Sequence, residues 1–221
     1  MSAKLAFSRD PAALHKASVD LPAKRLMAQS MRWTSSASYV NRWSMTPSNL
    51  IIPIIETKRL RLEPLALRHS NGMFRMWRHP DVAQFSGAAE DQFGNKIQMP
   101  VETRHDSDRL IEFWLKAASD GWGFRWAIVR LEDGEFLGHL GFNSLVDCFE
   151  IAYHLAPDFW GHGFMREAAV PAITWARERG AVAIDAFIEP ENFRSIALAL
   201  KLCMRGTDTY LEGARRYHRL L

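Results

Sequence analysis

Long apolar runs are missing from this 221-residue chain. Nothing approaches the 18 or more residues of a membrane-spanning helix, so no membrane partner is expected. Cysteine is scarce: Cys148 and Cys203 are the only two, far apart and in no CxxC pair. That count and spacing suggest no disulfide framework and a reducing, cytoplasmic setting. Histidines and cysteines show no ligand spacing for zinc, so no metal is expected. A GxxxxGKS/T phosphate loop for nucleoside triphosphates is absent as well. What remains is ordinary for a globular domain, 48% hydrophobic and 24% charged, with 8 Trp and 13 Phe to fill a core or line a cleft.

The net charge of +3 invites a nucleic-acid reading, but its distribution argues against one. Of 28 basic and 25 acidic residues, 7 basic and 2 acidic lie in residues 1–48. That leaves 21 basic and 23 acidic residues for 49–221, a net of −2. The excess charge belongs to the leading segment, so the folded part needs no polyanion as partner. Residues 1–49 show no sustained hydrophobic period and are expected to form a flexible basic extension. Their Ser- and Arg-rich, acid-poor composition also fits a transit segment, or an upstream stretch before a start at Met45.

From Ile51 onward the pattern is regular. Arg59–Leu65 alternates polar and apolar as a half-buried strand does. A short helix is expected through Phe74 and Trp77, stopped by Pro80, and residues 86–103 read as a long loop. Asp106 or Ser107 is placed to cap a helix bearing Leu110, Ile111, Trp114, Leu115 and Ala118 on one face. Strands follow at Phe124–Arg130 and Glu135–Phe142 around the hairpin signal Asp133-Gly134, then at Phe149–Leu155. A helix after Gly163 contains Pro171, which should kink it or cost about 3 kcal/mol. A strand at Ala181–Ile188, a helix at Phe193–Leu202 and a short terminal hairpin complete the chain. Antiparallel strands and a strand–helix–strand crossover must share one sheet. The fold class is α+β, a mixed central sheet flanked by helices on both faces and preceded by an irregular tail.

Trp160-Gly161-His162-Gly163-Phe164-Met165 lies between a strand and a helix, where unpaired amides and the helix dipole favour an anion. A plain connecting turn would use the same glycines. So would part of a dinucleotide fingerprint, with Asp185 about 20 residues on as the ribose-binding acid; there, however, the third glycine is Arg166. Further on, Glu191-Asn192-Phe193-Arg194-Ser195 opens the last helix.

Tyr153-His154-Leu155-Ala156-Pro157, Trp160-Gly161-His162-Gly163 and Glu167-Ala168 resemble motif A of the GNAT acetyltransferase superfamily. They are most similar to the branch containing ribosomal-protein-alanine acetyltransferases. Glu191-Asn192-Phe193-Arg194-Ser195 with Lys201-Leu202 resembles that branch's ENxxS signature, and Arg59–Leu62 its opening strand. The resemblance covers residues 56–217 and departs at Asp158, where the family has Gln or Arg, and at Cys203, where it has glycine. It implies an acetyl-CoA-dependent N-acetyltransferase acting by direct attack in a ternary complex. It places the pyrophosphate on the amides of Gly161, His162, Gly163, Phe164 and Met165, next to Trp160. The pantetheine arm would lie beside Tyr153–Ala156, along Leu155 and Ala156, with Asn192 and Ser195 near its end.

The acceptor would be a primary amine, on a peptide N-terminus or a small molecule, and a homodimer is compatible with these features. Glu150 is the candidate base, and a solvated strand carboxylate is the alternative. Ser195 is the candidate donor to the leaving thiolate, and it or Asn192 is equally suited to cap the last helix. His139, His154 and His162 are further proton acceptors to weigh. Trp122 and Trp126 suit either a substrate cleft or the core. A nucleotide-cofactor oxidoreductase and a catalytically idle CoA-binding module are the competing functions.

Overall fold

The computed structural model describes residues 50–87 and 89–221, all within one compact unit. The extension expected over residues 1–49 lies outside the described residues. In chain order come β1 (Ile55–Glu56), β2 (Leu60–Pro64), α1 (Ser70–Trp77), α2 (Pro80–Ala83), β3 (Ala89–Glu90) and β4 (Lys96–Ile97). Then follow α3 (Arg104–Ser119), β5 (Phe124–Arg130), β6 (Phe136–Ser144), β7 (Cys148–Leu155) and α4 (Phe164–Glu178). The chain closes with β8 (Ala183–Ile188), α5 (Phe193–Lys201), β9 (Arg205–Leu211) and β10 (Ala214–Leu220).

Eight strands form one sheet in the order β1-β2-β5-β6-β7-β8-β10-β9, and β3 and β4 make a separate hairpin. Only β7 and β8 run parallel in the large sheet; its other neighbours are antiparallel. Alternation sends Leu60, Leu62, Phe124, Trp126 and Ile128 to one face, where they meet Ala168, Ala169, Ala172, Ile173 and Trp175 of α4. Ala127 and Phe136 face the other way and pack with Met73, Met76 and Trp77 of α1 and Leu110 and Ile111 of α3. Helices therefore cover both faces, as expected. Trp126 belongs to the core, its ring edge-on to Trp175 at 5.3 Å and its indole N–H donating to the Pro53 carbonyl at 2.8 Å.

Several local expectations need correction. Pro80 does not simply stop α1; it opens α2, because a proline ring suits the first helical position. The stretch read as a loop over 86–103 contains the β3–β4 hairpin, too short to show a period. The cap of α3 is Thr103, whose hydroxyl accepts from the Asp106 amide, so neither Asp106 nor Ser107 caps it. α4 runs through Pro171 to Glu178 without a stop; its buried face is held by the core on both sides of the proline. The terminal hairpin is longer than expected: β10 lies inside the sheet, bonded to β8 along six residue pairs.

Cys203 takes the left-handed conformation, φ 61°, that its family-like glycine would have supplied. The last turn of α5 still closes, with Cys203 N–H donating to Leu200 and Met204 N–H to Ala199.

Candidate active site

β7 and β8 pair at only three positions, Cys148–Ala183, Phe149–Ile184 and Glu150–Asp185. Beyond Glu150, β7 stays bonded to β6, while β8 stays bonded to β10. The sheet therefore forks, and the inner edge of β7 is left open. Ala156 N–H donates to the Leu137 carbonyl of β6. By the alternation of an antiparallel pair, the amides and carbonyls of Tyr153 and Leu155 must then point away from β6, into the fork. The Leu155 carbonyl is already taken by the Trp160 indole at 2.8 Å. Ala156 is committed at both ends, its carbonyl accepting from Phe159 N–H.

At the open end of the fork stands the turn before α4. Six consecutive backbone N–H groups, Gly161 to Arg166, have no acceptor among the described residues; the helical ladder begins with Glu167 N–H to the Gly163 carbonyl. Gly161 and Gly163 both sit at φ 79°, and a Cβ on either would point into space nearly empty of protein atoms. Left-handed backbone, an open approach and a helix N-terminus together make an anion cradle rather than a plain connection.

The cradle is braced from the chain's opening strand. Glu167 accepts from the Thr57 hydroxyl at 2.7 Å and the Arg59 amide at 2.8 Å, and pairs with the Arg59 guanidinium at 2.7 Å. Burial pushes the Glu167 carboxyl up, but the bonds from Thr57 and Arg59 outweigh it and hold it below the usual carboxylate range. Arg59 also reaches the His162 carbonyl at 3.1 Å and lies 4.2 Å over the Phe164 ring. The His162 ring stacks on the same Phe164 ring, their centroids 5.9 Å apart.

Glu150 sits at the crotch of the fork, 8% exposed. An irregularity between Phe142 and Ser144 of β6 turns Asn143 toward it. Asn143 donates its amide to Glu150 and accepts from buried Arg125, which lies over the Trp114 ring of α3. Burial pulls the Arg125 guanidinium down to about 9, opposed by the charge of Glu150. The second Glu150 oxygen has no donor among the described residues. Phe113, Trp114 and Trp122 form a half-buried aromatic group beside this network, with ring centroids 4.9–5.9 Å apart.

On the opposite face of the fork, the Asn192 side chain caps α5 by accepting from the Ser195 amide at 3.1 Å. The Ser195 carbonyl accepts from the Tyr153 hydroxyl at 3.3 Å, and its own hydroxyl makes no hydrogen bond among the described residues. Burial raises Tyr153 to about 12. Arg194 lies 4.5 Å over the Trp160 ring, joining the two arms across the fork's mouth.

The remaining candidates separate clearly. His139 and His154 adjoin one another under Trp77, with ring centroids 5.1 Å apart. Burial pulls His154 to about 3 and His139 well below the ordinary imidazole value, so both are neutral and weakly basic. Asp185, considered above as a ribose ligand, is engaged by Arg216 and His218 instead. Sequence reasoning missed the Asn143–Arg125 support and the Arg59–Glu167 brace. A carboxylate in the first turn of α4, Glu167, beside a cradle suited to an anion, was the one signal of the brace.

Residues 59–205 match the acetyltransferase (GNAT) domain family. The chain belongs to the GNAT acetyltransferase family. It is 24% identical over 156 residues to the uncharacterized N-acetyltransferase YoaA of Bacillus subtilis, covering 69% of this chain and 82% of that one. Among solved structures, a candidate ribosomal-protein-serine acetyltransferase from Vibrio cholerae superposes with a TM-score of 0.65 at 15% identity, covering 80% of this chain and 100% of that one. The ribosomal L7/L12 alpha-N-protein acetyltransferase RimL, solved with coenzyme A, gives 0.61 at 18% identity, over 76% and 98%. In this GNAT acetyltransferase no group of three or more His, Cys, Asp or Glu suited to a metal occurs among the described residues. Nor is any helix among them long and apolar enough to cross a membrane.

Proposed function

We propose that this chain transfers an acetyl group from acetyl-CoA to a primary amine, on a peptide N-terminus or a small molecule, by direct attack in a ternary complex. The observation that carries the reading is the run of six unpaired amides, Gly161 to Arg166, at the open end of the fork. A pyrophosphate satisfies such donors at little reorganisation cost. Trp160 flanks the cradle. The inner edge of β7 at Tyr153 and Leu155 offers backbone groups to an extended arm, whereas the amide of Ala156 does not.

A CoA thioester supplies an acyl carbon already activated toward amines; the protein's own residues hold it, deprotonate the acceptor and protect the leaving sulfur. Glu150 and Ser195 lie on opposite faces of the fork, which suits a base on one side and a donor on the other. Glu150, fixed through one oxygen by Asn143, keeps the second for the acceptor's ammonium. The Ser195 hydroxyl is uncommitted and stands near the arm's expected end, and Asn192 shapes that end by capping α5.

The test is a thiol-release assay with acetyl-CoA across free-amine peptides, a polyamine, an aminoglycoside and single amino acids, alongside calorimetry with acetyl-CoA. Turnover with at least one amine is expected. Binding without turnover on any of them would leave an idle CoA-binding module, and no binding would end the reading altogether.

A further inference from the structure

Glu150 does not stand alone at the crotch. It is in register with Asp185 of β8, and Asp185 is in register with His218 of β10. Residues directly opposite across a sheet project from the same face. Ile184, Ala186 and Tyr217, their chain neighbours, all point into the core beneath α4 and α5. Glu150, Asp185 and His218 thus form a polar row on the other face, crossing the fork at its closed end.

His218 is held there deliberately. Its Nδ1 lies 2.7 Å from Asp185 Oδ1, and Arg216 Nη2 lies 2.9 Å from Asp185 Oδ2. An ionised carboxylate can only accept, so the short contact puts a proton on Nδ1, and in the neutral ring Nε2 is then the acceptor. Arg216, 3.3 Å from the same Nδ1, then adds charge rather than a bond. Nothing among the described residues bonds Nε2, and the His218 side chain is 27% exposed while that of Asp185 is 10%. A carboxylate-oriented imidazole with one free nitrogen is the arrangement that moves protons in acyl transfer. Of the other histidines near the fork, His139 and His154 are enclosed and His162 stands by the cradle.

Resting on the acetyltransferase reading above, we propose that His218, positioned by Asp185, carries the acceptor's proton from the fork to solvent. The acceptor enters as an ammonium and leaves as an amide, so its nitrogen loses two protons as the C–N bond forms and the C–S bond breaks. One proton ends on the departing sulfur. The other passes from nitrogen to Glu150, then through intervening water past Asp185 to His218 Nε2 two strands away, then to solvent, with no change of oxidation state. The charged groups around His218 are Glu150 on β7, Asp185 on β8, Arg205 opposite it on β9 and Arg216 on β10.

The experiment uses the full chain, dilute buffer and the panel amine that the wild type acetylates fastest. His218→Ala should lower kcat roughly 10-fold or more while leaving acetyl-CoA affinity unchanged. Added imidazole should restore the rate in proportion to its unprotonated form, which no structural role of His218 would produce. Asp185→Asn, which keeps the shape but not the tautomer, should lower kcat similarly; it serves also if His218→Ala does not fold. Wild-type kcat in either variant, or a loss that imidazole leaves untouched in a protein still binding acetyl-CoA, would overturn the proposal. A wild type that binds no acetyl-CoA or acetylates none of the panel would instead sink the proposed function.

Discussion

Glu150 and Asp185 are the last pair that holds β7 to β8, and the sheet opens directly beyond them. The closed end of the fork is therefore lined by two carboxylates on one face, each with a different set of partners. Glu150 leans on the neutral amide of Asn143, whereas Asp185 is saturated by Arg216 and His218. Only Glu150 keeps an oxygen for a substrate.

From that difference follows a prediction for Glu150→Gln. A free α-amine has a pKa of about 7.7–8.0, so about a quarter is neutral near pH 7.4, against about 0.1% of a lysine amine. Turnover of an α-amine should fall about 10–100-fold near pH 7 and partly recover near pH 9, as the amine deprotonates unaided. Rates matching the wild type at both pH values would remove Glu150 from the chemistry.

The cradle makes a second prediction. At Gly163 the backbone sits at φ 79°, a region that β-branched residues avoid, and a side chain there would stand in the anion's approach. Gly163→Val should weaken acetyl-CoA at least tenfold, about 1.4 kcal/mol or more. Calorimetry on a folded variant decides it, and unchanged affinity would mean the amides of Gly161–Arg166 are not the pyrophosphate site.

Stability should respond to pH through the buried imidazoles. His154 is pulled to about 3 from an ordinary 6.5, and His139 is shifted the same way. Below about 6.5 the unfolded chain takes up protons that the folded one refuses, so stability is full above that pH and is lost as pH falls toward 3. The slope per histidine is at most about 1.4 kcal/mol per pH unit. Urea unfolding of His154→Phe across that range should give a shallower slope than the wild type; an equal slope would show that His154 is protonated in the folded state.

A fourth prediction concerns a turn remote from the site. Cys203 occupies a left-handed position at the end of α5 with φ 61°, where a Cβ costs about 1–2 kcal/mol relative to glycine. Part of that gain is lost to the greater freedom of an unfolded glycine. Cys203→Gly should raise the thermal midpoint by about 2–4 °C, consistent with a net gain near 1 kcal/mol. A lowered midpoint would show that the thiol makes contacts worth more than the strain.

Local chemistry was legible in the chain itself. Alternation at Leu60 and Leu62, the Asp133-Gly134 turn and the apolar spacing on α4 each depend on neighbours a few residues away. So does the cradle, because a helix start lacks intrahelical partners for its first amides and Gly163 brings no side chain to cap them. The resemblance of Trp160–Gly163 and Glu191–Ser195 to known motifs supplied the activity that spacing alone left open between a cradle, a turn and a dinucleotide fingerprint.

What only the tertiary structure decided lies between segments distant in sequence. Asp185 carries no mark of its partner 33 residues away; His218 reaches it because β10 inserts between β8 and β9 rather than ending as a short hairpin. Arg59 and Glu167, 108 residues apart, meet because the opening strand passes the start of α4. Asn143 turns toward Glu150 through one irregularity in register, which no periodicity in β6 announces. Sequence determines a residue's face and local turn through short-range sterics and hydrogen bonding, while strand order and register, set by burial over the whole sheet, determine which charges become neighbours.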